Sequence, residues 1–110
     1  MATFATRGNS FLAGHVLSEI APASGSTVQL IGGTDTFITS GSTTAALTLR
    51  LPGGARGDEI VVKTVSAITT LTWQTPNGTA TTANGLPATL AAAGKVVLKY
   101  SPTLGAWTVW

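Results

Sequence analysis

Short β-prone runs separated by turn-forming residues make up the chain from residue 27 to its end. The runs are rich in Thr, Val and Ile, whose branched side chains favour a pleated strand over a helix. The breaks between them are rich in Gly, Pro, Asn and Ser, which favour turns. The pattern predicts strands over residues 27–31, 35–39, 45–51, 59–65, 68–74, 88–91, 95–100 and 106–110. We therefore expect an all-β protein, a small antiparallel β-sandwich or barrel-like domain with an N-terminal arm or short helix.

Alternation of apolar and polar positions within these runs predicts which side chains face the core. The inward set is Leu47, Leu49 and Leu51 in one run, Ile60 and Val62 in another, and Val96, Leu98 and Tyr100 in a third. On the opposite face of the second run, Val61 and Val65 flank Lys63. In the third run, Val97 lies between two lysines. Because a lysine stem beside a valine covers apolar surface while its ammonium group reaches water, these outer faces suit contact with a neighbouring subunit.

The tryptophans near the C-terminus are candidates for burial or for contact. Indole rings bury large areas and are favoured both in cores and at the centres of interfaces. Trp107 and Val109 should share one face of the last predicted strand, and Thr108 and Trp110 the other. One tryptophan is then expected to fill the core while the other meets a neighbour or a ligand. The predicted self-association or ligand face consists of Val61, Val65, Val97, Trp107 and Trp110.

The first 22 residues have a different character, with scattered apolar side chains, two interior glycines and Pro22 at the end. One interpretation is a short helix over residues 10–20, capped by Asn9 or Ser10. Gly14 weakens that helix by about 1 kcal/mol relative to Ala. The other interpretation is an extended arm that lies on a partner. The residues alone leave both open, and we divide the chain into an N-terminal segment, residues 1–22, and a β-domain, residues 23–110.

Composition favours an assembling protein over a lone domain. At 110 residues the chain fits one domain, and a domain of this size buries a modest share of its surface, so self-association would add stability. Charged residues make up only 9% of the chain, against roughly 25% in typical soluble domains. The polar surface must therefore consist largely of Thr, Ser, Asn and Gly. Such a surface costs less to desolvate than one rich in Lys and Glu, and it suits lasting contacts with other subunits.

The net charge of +2 comes from basic residues that are spread along the chain rather than clustered. Without a basic cluster or interleaved aromatic residues, the chain lacks the footprint of a nucleic-acid-binding protein. It also lacks a secretory signal pattern and any run of roughly 18 to 20 apolar residues, so we expect a soluble, unprocessed chain with no membrane partner. The absence of cysteine excludes disulfides and cysteine nucleophiles.

Few side chains are suited to catalysis or metal binding. His15 is the sole histidine, and Glu19 follows it at a spacing that brings two side chains together on a helix. Metal sites ordinarily need three or four ligands, so we expect no metal and no other cofactor. Asp58 and Glu59 are adjacent, but neighbours on a strand point to opposite faces and make a poor carboxylate pair. The sequence thus predicts a protein without enzymatic activity.

Two short stretches of the sequence match motifs that are known for other functions. Residues 56–58 spell Arg-Gly-Asp, a tripeptide known for binding animal cell-surface receptors, and residues 77–79 spell Asn-Gly-Thr, a glycosylation acceptor pattern. We interpret both as turns, because glycine permits a sharp bend and Asp or Asn side chains bond to nearby main chain.

A family resemblance covers a little over half of the chain, from Leu47 to Trp110. This stretch contains Leu-Thr-Leu-Arg-Leu-Pro from residue 47, Gly-Asp-Glu-Ile-Val-Val from residue 57, Asn-Gly at residues 84–85, Val-Val-Leu-Lys-Tyr from residue 96 and Gly-Ala-Trp from residue 105. The order of these turn and strand signatures resembles the small β-modules of bacteriophage tail fibres and of head-decoration or head-fibre proteins. The resemblance implies a homo-oligomer, commonly a homotrimer.

The chain begins at Met1 without the long repetitive shaft that precedes such modules in tail fibres, which favours a capsid decoration or head-fibre subunit. The resemblance then implies a virion protein, assembled in the host cytoplasm, whose N-terminal segment binds the major capsid protein or another virion protein. The implied partner-binding residues are Phe4, Phe11, Leu12, Val16 and Leu17. The alternatives are a tail-fibre or receptor-binding tip, in which Tyr100, Trp107 or Trp110 meets a host surface glycan, and an unrelated sugar-binding or adhesive module.

Overall fold

The structure, a computed structural model, describes residues 16–110, and its regular secondary structure is almost entirely β-strand, which confirms the all-β class. A short 3₁₀ turn, Ala83–Gly85, interrupts the series of strands. The strands are β1 Val16–Ile20, β2 Thr27–Gln29, β3 Thr34–Ile38, β4 Leu47–Arg50, β5 Glu59–Thr64, β6 Leu71–Gln74, β7 Ala80–Thr81, β8 Lys95–Ser101 and β9 Ala106–Val109.

The strands form two mixed sheets. The first sheet has the order β1-β3-β5-β8-β9, and the second has the order β2-β4-β6-β7. In both sheets the early strands pair in parallel, β1 with β3 and β3 with β5 in the first, β2 with β4 and β4 with β6 in the second. Only the pairs that involve β7, β8 or β9 are antiparallel. The predicted antiparallel pairing is therefore wrong among the first six strands.

Parallel pairing follows from the way in which the chain winds. Up to β6, each strand is followed by a strand of the other sheet, so the chain returns to each sheet in the same direction. Main-chain hydrogen bonds between the corners hold successive turns together. The Gly25 N–H donates to the Ala46 carbonyl, and the Thr44 N–H donates to the Ala67 carbonyl. Three turns of chain are thus stacked, and β1 and β2 form the first of them.

Side chains from both sheets meet in one hydrophobic core. Ile60, Val62 and Leu98 of the first sheet are 0% exposed, as the alternation predicted. Trp73 of the second sheet is 2% exposed, and its indole N–H donates to the Pro87 carbonyl at 2.8 Å, which satisfies its polar group. The buried apolar residues are Leu30, Ile38, Leu47, Leu49, Leu51, Ile60, Val62, Ile68, Leu71, Trp73, Leu90, Val96, Leu98 and Trp107.

Strand β1 changes the predicted domain organisation. It pairs with β3 along its whole length, from Val16 opposite Thr34 to Ile20 opposite Ile38. Ladder bonds to β3 satisfy the main chain that a helix would have satisfied internally, so the helix considered for residues 10–20 is wrong over Val16–Ile20. This strand belongs to the β-domain rather than to an arm that ends at residue 22. The remainder of the predicted helix or arm, residues 1–15, lies outside the described residues.

The other sequence-based strands mostly lie where they were expected. The hairpin of the last two runs is confirmed by the antiparallel pairing of β8 with β9. Residues 88–91 do not form a strand, because only Leu90 makes a bridge there, to Ile68. Strand β7 was not predicted; its two residues carry too short a pattern to detect.

Candidate functional site

The first turn of chain leaves one end of the stack uncovered. Within the part of the chain that the structure describes, β1 and β2 are edge strands of their sheets. Three large apolar side chains are exposed in this turn, Val16 at 68%, Leu17 at 59% and Ile31 at 62%. We call this surface, the free edges of β1 and β2 together with Val16, Leu17 and Ile31, the open end.

Val16 shows that the core itself is uncovered at the open end. It pairs with Thr34, which is buried, and its side chain lies on the same, core-facing side of the sheet. On that same side, Ile60 and Leu98 are paired with each other and fully buried. Among the described residues, Val16 is thus an inward-facing side chain that is mostly exposed. Full burial of a side chain of this size contributes about 1.5–3 kcal/mol relative to full exposure, so covering Val16 would stabilise the molecule.

The edge of β1 also presents main-chain hydrogen-bonding groups. The Val16 N–H donates to the Gly33 carbonyl at 3.2 Å, on the side of β3. Because N–H groups alternate in direction along a strand, those of Leu17 and Glu19 point away from β3. An uncovered strand edge of this kind is a template for pairing with another chain.

The opposite end of both sheets, which we call the closed end, is protected. Strand β7 has only two residues, and β9 is covered by the 3₁₀ turn. Asn84 in that turn donates from Nδ2 to the Trp107 carbonyl at 3.2 Å, and Gly85 lies against Val109. Short edge strands and covered edges are common ways in which proteins avoid edge-to-edge association.

An apolar row crosses the outward face of the first sheet. Leu17 of β1 pairs with Asp35 of β3, Asp35 pairs with Val61 of β5, and Val61 pairs with Val97 of β8. Trp110 continues the row, since its N–H donates to the Val97 carbonyl at 2.8 Å. We call these five positions the outer row. Four of the five carry apolar side chains, which is unusual for a sheet face that points away from the core.

Charges are segregated on this same outward face. Strands β1 and β3 carry Glu19 and Asp35, whereas all three lysines of the chain lie on β5 and β8. Glu59 also lies on the lysine side, where it pairs with Lys99. We call the β1–β3 part the acidic half of the face and the β5–β8 part the lysine half.

The lysine half contains an unfavourable pair. Lys63 and Lys95 are both exposed and stand directly opposite each other. Like charges in directly opposed positions of a sheet destabilise it. The Lys63 ammonium group donates to the carbonyl of Ala93, two residues before Lys95, at 3.1 Å. An acidic group placed between the two lysines would relieve this repulsion.

The outward face of the second sheet is different in chemistry. Thr27, Thr48 and Thr72 align across β2, β4 and β6, and the neighbouring row places Arg50 between two glutamines. Arg50 donates from Nε to the side-chain oxygen of Gln74 at 3.0 Å. This face has one charge, no large apolar side chain and no segregation of charges.

Trp110 is an exposed ring that is held in place. It is 74% exposed, and its indole N–H donates to the Thr108 hydroxyl at 2.8 Å. The Lys99 ammonium nitrogen lies 4.7 Å from the ring centroid, within the range of a cation–π interaction. Trp110 is therefore a fixed aromatic surface beside a positive charge.

A small pocket of about 160 Å³ lies near the closed end, against Tyr100 and Trp107. The two rings meet edge to face with their centroids 5.5 Å apart, and the Trp107 indole N–H donates to the Pro52 carbonyl at 2.8 Å. The main chain of Gly54 lies so close to the Tyr100 ring that a Cβ atom at residue 54 would be 2.1 Å from a ring carbon. The pocket is lined without Asp, Glu, His, Lys or Arg, so it offers no acid–base pair and no metal ligands.

The predicted site residues have different outcomes. Val16 and Leu17 lie at the open end. Val61 and Val97 are brought together in the outer row with Trp110, and Val65 is 47% exposed just beyond β5.

Trp107 departs from its predicted place on a contact face: it is 4% exposed and packs in the core, while Trp110 faces outward. Phe4, Phe11 and Leu12 lie outside the described residues. The sequence reasoning missed Ile31 and the charge segregation, which require the strand order.

The remaining sequence motifs are explained by the fold. Residues 56–58 form a turn in which the Asp58 carboxylate accepts from the Ala55 N–H at 2.9 Å, and residues 77–78 form another, closed by the Gly78 N–H bond to the Thr75 carbonyl. Glu19 lies on a strand, so the helical spacing from His15 does not apply. Within residues 16–110 no three His, Cys, Asp or Glu side chains are grouped for a metal ion, and no helix has the length and apolar character to cross a membrane.

Comparison of the chain with protein-family models, with curated proteins and with solved structures found no match.

Proposed function

We propose that this chain is a non-enzymatic structural subunit of a bacteriophage virion, a capsid decoration or head-fibre protein that binds the shell through its open end and self-associates. The observation that carries the proposal is Val16, a core-facing side chain that is 68% exposed on a strand that is at the sheet edge among residues 16–110. A partner strand laid along β1 would complete both the core and the main-chain ladder.

This mode of binding has a clear division of roles. Main-chain hydrogen bonds to an added strand supply affinity, and pockets for its alternate side chains supply specificity. At the open end, Val16 and Ile31 provide the apolar contacts, and the outward N–H groups of Leu17 and Glu19 provide the ladder. The partner is therefore a protein that contributes an extended segment with apolar residues at alternate positions.

The rest of the surface supports a role in assembly. Charged residues make up only 9% of the chain, and the apolar outer row provides a second contact area for self-association. In this proposal the shell partner is the major capsid protein or another virion protein, no cofactor takes part, and the protein is located in the virion.

A matched pair of substitutions tests the docking site. Ile31→Lys at the open end and Leu104→Lys in the β8–β9 connection introduce the same charge at isomeric side chains that are both 62% exposed. We expect Ile31→Lys to weaken binding to capsids assembled without this subunit by at least about tenfold, since a charge in a desolvated apolar contact costs several kcal/mol. Leu104→Lys should bind as the unaltered protein does. Equal binding by both variants would contradict docking through the open end.

The alternative function, a tail-fibre or receptor-binding tip that binds host surface glycan, is favoured by one observation, the exposed and fixed ring of Trp110. Of the three aromatic residues considered for this role, Trp107 is buried and Tyr100 packs against Gly54. Trp110→Ala separates the two functions. A decoration subunit with this substitution should still bind capsids, whereas a receptor-binding tip should lose adsorption to host cells.

A further inference from the structure

We propose that the outward face of the first sheet binds a second copy of this chain, face to face and related by a two-fold axis, with the acidic half of each copy on the lysine half of the other. This inference rests on the self-association in the proposed function and names the surface and the partner. The two surfaces share Leu17 and β1, so they are told apart at residues that belong to only one of them, Ile31 for the open end and Lys95 for this face.

The order of residues across the sheet carries the inference. One row of the face runs Glu19, Phe37, Lys63 and Lys95, on β1, β3, β5 and β8 in turn. Adjacent strands lie about 4.8 Å apart, so Glu19 and Lys95 are separated by about 14 Å across the sheet. An acid and an exposed lysine thus stand at the two ends of the row, and an aromatic ring and a second lysine stand between them.

A two-fold axis parallel to the strands reverses this row in the second copy. With the axis centred between β3 and β5, Glu19 meets Lys95 of the second copy, and Phe37 meets the aliphatic stem of its Lys63. In the outer row the same operation places Leu17 on the second copy's Val97. It also places Asp35 beside the second copy's Val61, so the complementary contacts are those of Glu19 with Lys95, Phe37 with the stem of Lys63, and Leu17 with Val97. Each contact occurs twice, as an isologous interface requires.

The contact also relieves the repulsion within the lysine half. Glu19 of the second copy would approach Lys95 next to Lys63. Its negative charge would then offset the repulsion between the two lysines. Leu17 and Val97 are desolvated where they meet, while the ammonium groups reach the rim along their stems. Charge complementarity at the rim fixes the orientation and discriminates against other partners.

A second copy fits this face better than a partner of one charge sign. A uniformly acidic surface would suit the lysine half but would place like charges on Glu19 and Asp35. A uniformly basic surface would suit the acidic half but would place like charges on the lysine half. The outward face of the second sheet, which has neither an apolar row nor two halves, is not complementary to itself in this way.

Charge reversal at Glu19 and Lys95 tests the proposal in the full-length protein. Glu19→Lys and Lys95→Glu, each alone, should weaken self-association by about tenfold or more in sedimentation equilibrium at low salt, because each places like charges together in two symmetric contacts. The double variant restores opposite charges and keeps the net charge at +2. It should recover the affinity of the unaltered protein, and raising the salt concentration should reduce the differences.

Arg56→Glu is the matched control for Lys95→Glu, because it makes the same change of net charge in an exposed turn that is not part of the strands of this face. It should associate as the unaltered protein does. The proposal is overturned by a monomer at high concentration, by single variants that associate normally, by a double variant that fails to recover, or by a trimer in place of a two-fold pair. Lys95 lies on β8, outside the open end, so Lys95→Glu should weaken self-association and still bind capsids, whereas Ile31→Lys should lose capsid binding and still self-associate. The failures of the two proposals are therefore distinguishable.

Discussion

The two ends of this molecule differ in whether the edge strands of the β-sheets are covered. At the closed end β7 is cut short, and the 3₁₀ turn covers β9 through Asn84 and Gly85. At the open end β1 runs for five residues with Val16 and Leu17 exposed on its two faces. Edges are ordinarily blunted because they invite association. A fold that, over residues 16–110, protects one end and leaves the other exposed is therefore suited to association in one direction.

The difference also predicts where stability resides. The closed end contains the buried indoles, each with its N–H bonded to a loop carbonyl, whereas the open end contains apolar side chains that gain nothing from burial in the isolated chain. Substitutions at the closed end should mainly change the free energy of unfolding. Substitutions at the open end should mainly change binding.

The largest expected effect is at Trp73. Trp73→Ala removes a 2% exposed ring and leaves the Pro87 carbonyl without its donor, and it should lower the free energy of unfolding by about 3–5 kcal/mol. Urea unfolding followed by far-UV circular dichroism measures this loss. A loss under about 1 kcal/mol would mean that the closed end does not hold the fold together.

Gly54→Ala should have the next largest effect. The added Cβ would overlap the Tyr100 ring, so either the loop or the ring must move, at a cost of about 1–3 kcal/mol. Gly53→Ala is the control, because a Cβ at residue 53 meets nothing within 4 Å. Thermal unfolding of the two variants should therefore differ clearly, and equal melting temperatures would contradict the packing described for this loop.

Asn84→Ala should weaken the cover over β9. It removes the bond from Nδ2 to the Trp107 carbonyl and places Ala at φ 62°, where Asn is better tolerated, so we expect a loss of about 1–2 kcal/mol. Amide hydrogen exchange in β9 should accelerate with it. Asn77→Ala, in an exposed turn, should leave exchange in β9 unchanged; acceleration by both variants would point to a general loss of stability instead.

The smallest effect on stability is expected at the open end itself. Val16→Ala should change the free energy of unfolding of the isolated protein by no more than about 0.5 kcal/mol, because the side chain is already 68% exposed. The same variant should nevertheless bind capsids more weakly than the unaltered protein does. A loss of more than about 1 kcal/mol in the isolated chain would show that Val16 is covered in solution and would remove the contrast between the ends.

Alternation along single strands was enough to predict which residues face the core, since Ile60, Val62, Val96 and Leu98 are all buried. It could not predict the strand partners, because a strand's own pattern does not depend on whether its neighbour is parallel. The winding also has no constant sequence period: Val16 pairs with Thr34, 18 positions on, whereas Asp35 pairs with Val61, 26 positions on. Because the loops differ in length, the regular stacking of the strands leaves no regular spacing in the sequence.

The candidate surfaces were predictable only in part, and for a related reason. Val61 and Val97 were identified from their place beside lysines, but their contact with each other and with Trp110 depends on strand order. β1 was ambiguous because Val16, Leu17 and Ile20 also fit the spacing of one face of a helix. Pairing with β3 decides between the two, and that information is more than ten residues away in the sequence.

Stacked turns also determine how the molecule would respond to force. Each turn is bonded mainly to its neighbours. Tension applied along the stack, between β1 and the C-terminal hairpin, would therefore break the hydrogen-bonded strand pairs one after another. If β1 is the strand held by the shell, its ladder to β3 is the first to yield under such traction. The resistance of the attached subunit to being pulled away would then be limited by those few bonds and not by the tryptophan-filled interior.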